Sequence, residues 1–133
     1  MDVFNSSRYL ENRGDYMKRP FLMRRLSGRL RRSAFSRLYL PQATDKKWRD
    51  LFVGASLEFA PGVNVDLLAS DFMHAAIAFT REYEHVLSHR VVALGRKGGA
   101  FVDVGANIGN SALLWAASNP RNTASTFEAS PRN

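Results

Sequence analysis

The sequence predicts an α/β fold organised around a strand, a helix and a second strand in the C-terminal third of the chain. Phe101, Val102 and Val104 form a short β-rich apolar run that stops at two glycines, as a strand does before a tight turn. Ser111 to Ser118 favours a helix, and the Asn-Pro pair after it should end that helix, because the residue before proline is pushed out of the α region. Thr123 to Phe127 alternates like a second strand. Together these segments predict a βαβ unit.

The loop between the first strand and the helix is glycine-rich and has the pattern Asp-x-Gly-x-Asn-x-Gly, from Asp103 to Gly109. Gly105 allows a sharp turn and close approach of a ligand to the backbone. Asn107 is the residue type that, after glycine, best tolerates a positive φ. Backbone N–H groups near the start of the helix would point outward and favour negative charge. The loop therefore predicts a ligand cradle.

Two common nucleotide cradles fit the spacing badly. Counting from Gly105, a dinucleotide fingerprint requires glycine at positions that hold Asn107 and Asn110, and a P-loop requires a lysine that no residue after Lys97 supplies. Glu128 follows the predicted second strand, where a carboxylate can accept hydrogen bonds from the two hydroxyls of a ribose. An acid at this edge without a pyrophosphate loop indicates a nucleoside that carries an amino acid.

These residues resemble a known family. The string Phe-Val-Asp-Val-Gly-Ala-Asn-Ile-Gly-Asn (101–110), with Thr-Phe-Glu-Ala-Ser-Pro-Arg-Asn (126–133), is similar to the start of the S-adenosylmethionine-dependent methyltransferases of the FkbM type. Ala129 stands where family members usually have proline, and the upstream Arg-Glu-Tyr-Glu (81–84) is similar to a less specific family pattern. The resemblance covers roughly residues 50 to 133 and implies the start of a Rossmann-like class I methyltransferase sheet.

The resemblance also implies a cofactor, S-adenosylmethionine, and an activity, methyl transfer to a hydroxyl of a sugar, other glycan or small secondary metabolite. It places Gly105 and Asn107 against the methionine part of the cofactor, Asp103 beneath the loop and Glu128 on the ribose. The full set of implied cofactor-binding residues is Asp103, Gly105, Ala106, Asn107, Gly109 and Glu128. From the residues alone, Asp103 could instead hydrogen-bond loop amides, and Glu128 could be a solvated acid. No catalytic base is identified.

The division of the chain follows from the same resemblance. We expect residues 1–50 to form a basic helical leader and linker, and residues 51–133 to form the N-terminal part of the methyltransferase domain. A parallel sheet is normally covered on both faces, and a sheet ending after its second strand is not. We therefore expect an incomplete domain, a fragment with weak cofactor binding and little or no turnover.

The positive charge is concentrated in the leader. Of 19 Lys and Arg and 12 Asp and Glu, residues 1–50 contain 13 and 5, and residues 51–133 contain 6 and 7. From Phe21 to Leu40, apolar residues recur at helical spacing while most arginines fall elsewhere on the wheel, which predicts a basic amphipathic helix with a break at Gly28. Three interpretations stay open: packing on the rest of the domain, weak contact with anionic membranes through residues 21–40, and nonspecific nucleic-acid binding, which ranks last.

Other local patterns predict the remaining elements. Pro41 to Asp50 is expected to be a linker, and alternating residues on either side of Pro61-Gly62 predict a hairpin with its turn at that pair. Asp71 is a candidate N-cap for a helix that carries Phe72 to Phe79, and Tyr83 to Leu94 is expected to form the next helix.

Several classes of function are disfavoured. The chain has no cysteine, which excludes disulfides and thiolate metal sites, and it lacks both an apolar run of about 18 residues and a secretory signal pattern at Met1. A cytoplasmic location is expected. His85 and His89 would share a helical face, but without a third ligand no metal site is predicted, and His74 is expected to be a partly buried helix residue. Two alternatives to methyl transfer remain: a membrane- or nucleic-acid-associated adaptor with an α/β scaffold, and nucleotide-dependent oxidoreduction.

Overall fold

The computed structural model describes residues 17–130, which form a mixed α/β structure. The chain divides into two compact units, the first formed by Met1–Leu57 with Asn64–Tyr83 and the second by Glu58–Val63 with Glu84–Asn133. The part of the predicted leader before residue 17 and the last three residues of the family resemblance, 131–133, lie outside the described residues. No helix in the range 17–130 combines the length and apolar character needed to cross a membrane.

The first unit begins with short helical segments. Helix α1 is Phe21–Arg25 and helix α2 is Gly28–Ala34, which continues into a π-helical turn at Phe35–Tyr39 and a 3₁₀ turn at Leu40–Gln42. The predicted break of the amphipathic helix is confirmed: Leu26 and Ser27 are extended, and Gly28 has φ 50°, a left-handed value that suits glycine.

The stretch expected to be a linker is instead helical and packed. A 3₁₀ helix spans Lys46–Leu51, and both Ala43 and Leu51 are buried. Helix α3, Phe72–Thr80, then starts at the predicted N-cap, where Asp71 Oδ1 accepts a hydrogen bond from His74 N at 3.0 Å.

Phe79 of α3 is the centre of an aromatic core in the first unit. Its ring centroid lies 5.5 Å from those of Tyr39 and Trp48, 5.7 Å from that of Phe35 and 6.2 Å from that of Phe52. Tilted and edge-on ring pairs at such distances are favourable beyond simple burial. The leader and the predicted linker therefore contribute to a folded core.

The hairpin is present, but its predicted turn is wrong. Strands β1, Ala55–Leu57, and β2, Ala60–Val65, form a two-stranded sheet, with the turn at 58–59 and the Pro61-Gly62 pair inside β2. Proline can occupy a strand whose N–H side has no partner strand, and Gly62 takes φ 84° there. The turn preference of the Pro-Gly pair alone therefore predicted the wrong position for the connection between β1 and β2.

The second unit contains the predicted βαβ arrangement, which is confirmed. Helix α4 is His85–Gly95, strand β3 is Ala100–Val104, helix α5 is Asn110–Ser118 and strand β4 is Thr123–Phe127. Strands β3 and β4 pair in parallel, with Ala100 opposite Thr123 and Val104 opposite Phe127. Helix α4 starts two residues later than predicted, after Glu84 in a left-handed conformation at φ 49°.

The two faces of this sheet differ. On one face the ring of Phe101 stacks on that of Trp115 from α5, with centroids 5.3 Å apart. Side chains alternate along a strand, so Val102, Val104 and Phe127, the partner of Val104, point to the other face, and all three are exposed. Helix α5 thus covers one side of the β3–β4 pair and leaves the carboxyl edge of both strands accessible.

Candidate ligand site at the carboxyl ends of β3 and β4

Three residues of the loop from β3 to α5 have left-handed backbone conformations. Gly105 has φ 76°, Asn107 has φ 52° and Gly109 has φ 75°. The amides of Gly105 and Ala106 both donate to Phe127 O, at 2.8 and 3.2 Å. The predicted sharp turn at Gly105 and the positive φ at Asn107 are therefore confirmed, and the alternation of glycine and asparagine follows from this backbone geometry.

Glu128 meets this loop directly. Its Oε2 atom accepts a hydrogen bond from Asn107 N at 2.7 Å, and its Oε1 atom accepts one from Ser130 N at 2.7 Å. The structure thus places Gly105, Asn107 and Glu128 at the same edge of the sheet, beyond the carboxyl ends of both strands. This edge is where open α/β sheets bind ligands.

Backbone amides stabilise the ionised form of Glu128. They hold its pKa below 4.5, the Ser130 amide contributing most and the Asn107 amide next, with a small opposing contribution from desolvation and a smaller lowering by the Ala129 amide. Glu128 is an anion at neutral pH, as a glutamate with an ordinary or lowered pKa is. A carboxylate has about four lone-pair positions, so acceptor capacity remains for further donors such as hydroxyls.

Asp103 lies on the side of β3 that faces α5, two residues from Phe101, and it is half-buried. Within residues 17–130 its carboxylate makes no hydrogen bond or ion pair. The interpretation in which Asp103 caps the loop amides is therefore wrong, because Glu128 accepts from the Asn107 amide instead. Asp103 keeps its acceptor capacity close to the loop.

The start of α5 supplies a second polar feature. Gly109 is the N-cap residue, no side chain caps the helix, and its first turn contains no acidic residue. Ala106 is buried beneath the loop, and the Gly109 amide donates to its carbonyl at 2.7 Å. Uncapped amides at a helix start attract a carboxylate or another anion.

Sequence reasoning missed the contribution of Ser130. Its amide is the main cause of the lowered pKa of Glu128, yet nothing in the side chain of Ser130 indicates this role. The available signal is local: a carboxylate two residues before an amide can bond to it when the chain turns after a strand.

The histidines lie elsewhere. His85 and His89 share a face of α4, as predicted, with ring centroids 4.3 Å apart, and no group of three or more metal-binding side chains occurs in the part of the chain that the structure describes. His74, expected to be partly buried, lies on α3 as predicted but is almost fully buried, and its Nδ1 atom accepts from Leu68 N at 2.9 Å, so it serves the fold.

The chain matches no family model, no curated protein and no solved structure in the comparisons made. The arrangement of Glu128, Asp103 and the loop around Asn107 is consequently the basis for any functional assignment.

Proposed function

We propose that the chain forms the cofactor-binding start of an S-adenosylmethionine-dependent methyltransferase of the FkbM type, with the Rossmann-like class I sheet order. The observation that carries this proposal is the hydrogen bond from the Asn107 amide to Glu128 at the carboxyl edge of two parallel strands. This bond keeps next to the glycine-rich loop the carboxylate that, in this proposal, accepts hydrogen bonds from the ribose hydroxyls. The motif resemblance and the geometry point to the same class of ligand.

The residues fit a nucleoside that carries an amino acid. Glu128 has lone pairs left for the two ribose hydroxyls. Asp103, without a partner among the described residues, can accept from an α-ammonium group, and the uncapped start of α5 can receive an α-carboxylate. The loop lacks the third glycine and the lysine that a di- or triphosphate would require.

When bound, S-adenosylmethionine would supply an electrophilic methyl group on sulfur for transfer to an acceptor hydroxyl of a sugar or small metabolite. In this proposal the chain's own residues orient the cofactor: the loop fixes the amino-acid end and Glu128 fixes the ribose. Fixing both ends removes rotational freedom, which is how positioning lowers a displacement barrier.

The test is amide NMR of the chain during titration with S-adenosylhomocysteine, the product form of the cofactor. We expect shifts at Gly105, Asn107, Gly109 and Ser130, and their loss in Glu128→Gln. Asp50→Asn is the matched control, because it removes one exposed negative charge from the 3₁₀ helix of the first unit, outside the candidate site. A folded spectrum in which millimolar ligand moves none of these amides would overturn the proposal. Shifts with NADH but not with S-adenosylhomocysteine would assign nucleotide-dependent oxidoreduction instead.

A second candidate function, from a different class, is a basic adaptor in which the α/β unit is only a scaffold. The observation in its favour is that residues 17–44 contain eight Lys and Arg and no Asp or Glu. Replacement of the exposed cations Lys18, Arg25, Arg29 and Arg37 by glutamine should then abolish binding to vesicles or DNA, while S-adenosylhomocysteine moves no amide of the loop.

A further inference from the structure

The basic region of the first unit uses only part of its charge for folding. Arg19 is buried and its Nε atom donates to Ala78 O at 3.0 Å, and Arg32 pairs with the buried Glu82 at 3.1 Å. Other cations of the same region, Lys18, Arg25, Arg29 and Arg37, are exposed. Because no acid occurs between residues 16 and 44, this surface is strongly positive.

The apolar residues of the same region differ in burial. Met23 and Phe35 are buried in the first unit, whereas Leu30 and Leu38, which belong to the predicted amphipathic pattern, are 68% and 52% exposed. Packing on the rest of the domain therefore explains Met23 and Phe35. It does not explain Leu30 and Leu38, which are not buried against the described residues.

The π-helical turn lines up the exposed residues. One α turn of about 3.6 residues followed by one wider π turn spans about eight residues. Leu30 and Leu38 are eight apart, as are Arg29 and Arg37, so each pair lies on one line along the helix. These four residues, called here the Arg–Leu strip, form a continuous exposed surface that is both cationic and apolar.

We propose that the Arg–Leu strip docks the protein on the surface of an anionic lipid bilayer. Leucines that are exposed beside arginines match an interface with acyl chains just below anionic headgroups. In this arrangement Leu30 and Leu38 enter the headgroup boundary, and Arg29 and Arg37 contact phosphates and carboxylates. A nucleic-acid surface would use the arginines but would gain little from the leucines.

Helix α1 extends the same chemistry. Phe21 is exposed, and the guanidinium carbon of Arg25 lies 5.2 Å from the centroid of its ring. An aromatic ring beside a cation is favoured at membrane interfaces. The proposal does not involve the site at Glu128 and is independent of methyl transfer.

The test is flotation of the full chain with vesicles of phosphatidylcholine, with and without about one third phosphatidylserine. We expect binding only to the anionic vesicles. The double variant Arg29→Gln, Arg37→Gln should bind about 30-fold more weakly, since each arginine near such a surface contributes about one kcal/mol. The matched control Arg49→Gln, Arg90→Gln loses the same charge from exposed positions outside the strip and should bind with nearly unchanged affinity.

Substitution of the two leucines distinguishes binding to an anionic bilayer from binding to nucleic acid. Leu30→Ser, Leu38→Ser should weaken vesicle binding at least about tenfold, because two apolar side chains no longer enter the bilayer. The control Val86→Ser, Leu94→Ser removes exposed apolar groups of α4 and should leave binding unchanged. The proposal is overturned if anionic vesicles are not bound, or if the serine variant binds them as the parent does. Retained, salt-sensitive binding of duplex DNA by that variant would assign the strip to nucleic acid.

Discussion

Phe79 in the first unit and Phe127 in the second unit are the same side chain in opposite surroundings. Phe79 is fully buried among four other aromatic rings, whereas Phe127 ends an exposed strand and is 59% accessible. The first unit is therefore held by burial of aromatic surface. The second is held by strand pairing, the Phe101–Trp115 stack, the packing of α4 on α5 with Val91 and Leu114 buried, and a few polar side chains.

The polar contribution in the second unit centres on Asn122. Its Nδ2 group donates to Gly95 O at 2.9 Å and to Trp115 O at 2.7 Å, and its Oδ1 atom accepts from Gly99 N at 3.0 Å. One side chain thus ties the ends of both helices to the start of β3. The candidate ligand edge, at the opposite end of the strands, depends on a unit that has fewer buried aromatic rings than the first.

The largest effect should come from removing the buried ring. Phe79→Ala should lower the free energy of unfolding by about 3–5 kcal/mol, because a large cavity opens inside the aromatic core. Phe127→Ala, the matched control, should cost about 0.5 kcal/mol, as surface substitutions do. Chemical denaturation of both variants measures the difference, and equal losses would contradict the comparison between the units.

The next largest loss of stability should come from removing the side-chain hydrogen bonds of Asn122. Asn122→Ala should cost about 2–3 kcal/mol, because three hydrogen bonds are lost and the Gly99 amide and the Trp115 carbonyl lose this partner, whereas Gly95 O keeps Gly98 N. Asn119→Ala is the matched control: its side chain donates to Arg96 O and accepts from Arg121 N in exposed positions, and it should cost about 1 kcal/mol or less. If both variants unfold at the same denaturant concentration, Asn122 does not hold the second unit together.

The smallest effect concerns Glu128 and pH. Since its pKa is lowered below 4.5 in the folded state, its stabilising contribution is present above pH 4.5 and is lost as the pH falls through the lowered value. Glu128→Gln should therefore make the decline of stability below pH 4.5 shallower than in the control Asp50→Asn, which removes an exposed acid of the first unit. Unfolding midpoints across this range measure the slopes. An NMR titration that places the pKa of Glu128 at or above 4.5 would contradict the two amide hydrogen bonds.

The sequence determined the local elements of the βαβ unit and the residues that its loop requires. Phe101 to Val104, Gly105, Asn107 and Thr123 to Phe127 were identified because strand alternation and positive φ are properties of neighbouring residues. The N-cap at Asp71 and the break near Gly28 followed for the same reason. The implied cofactor, S-adenosylmethionine, rests on the motif resemblance and stays a prediction.

Only the tertiary structure decided which groups meet across long separations. The bond from Asn107 to Glu128 joins residues 21 apart, and that from Asn122 to Gly95 joins residues 27 apart. The hairpin turn lies at 58–59 rather than at Pro61-Gly62, and some apolar residues of the leader are buried whereas others are exposed. The spacing of residues along the chain predicts which face of a helix or strand a side chain occupies. What that face contacts depends on how the elements pack in three dimensions.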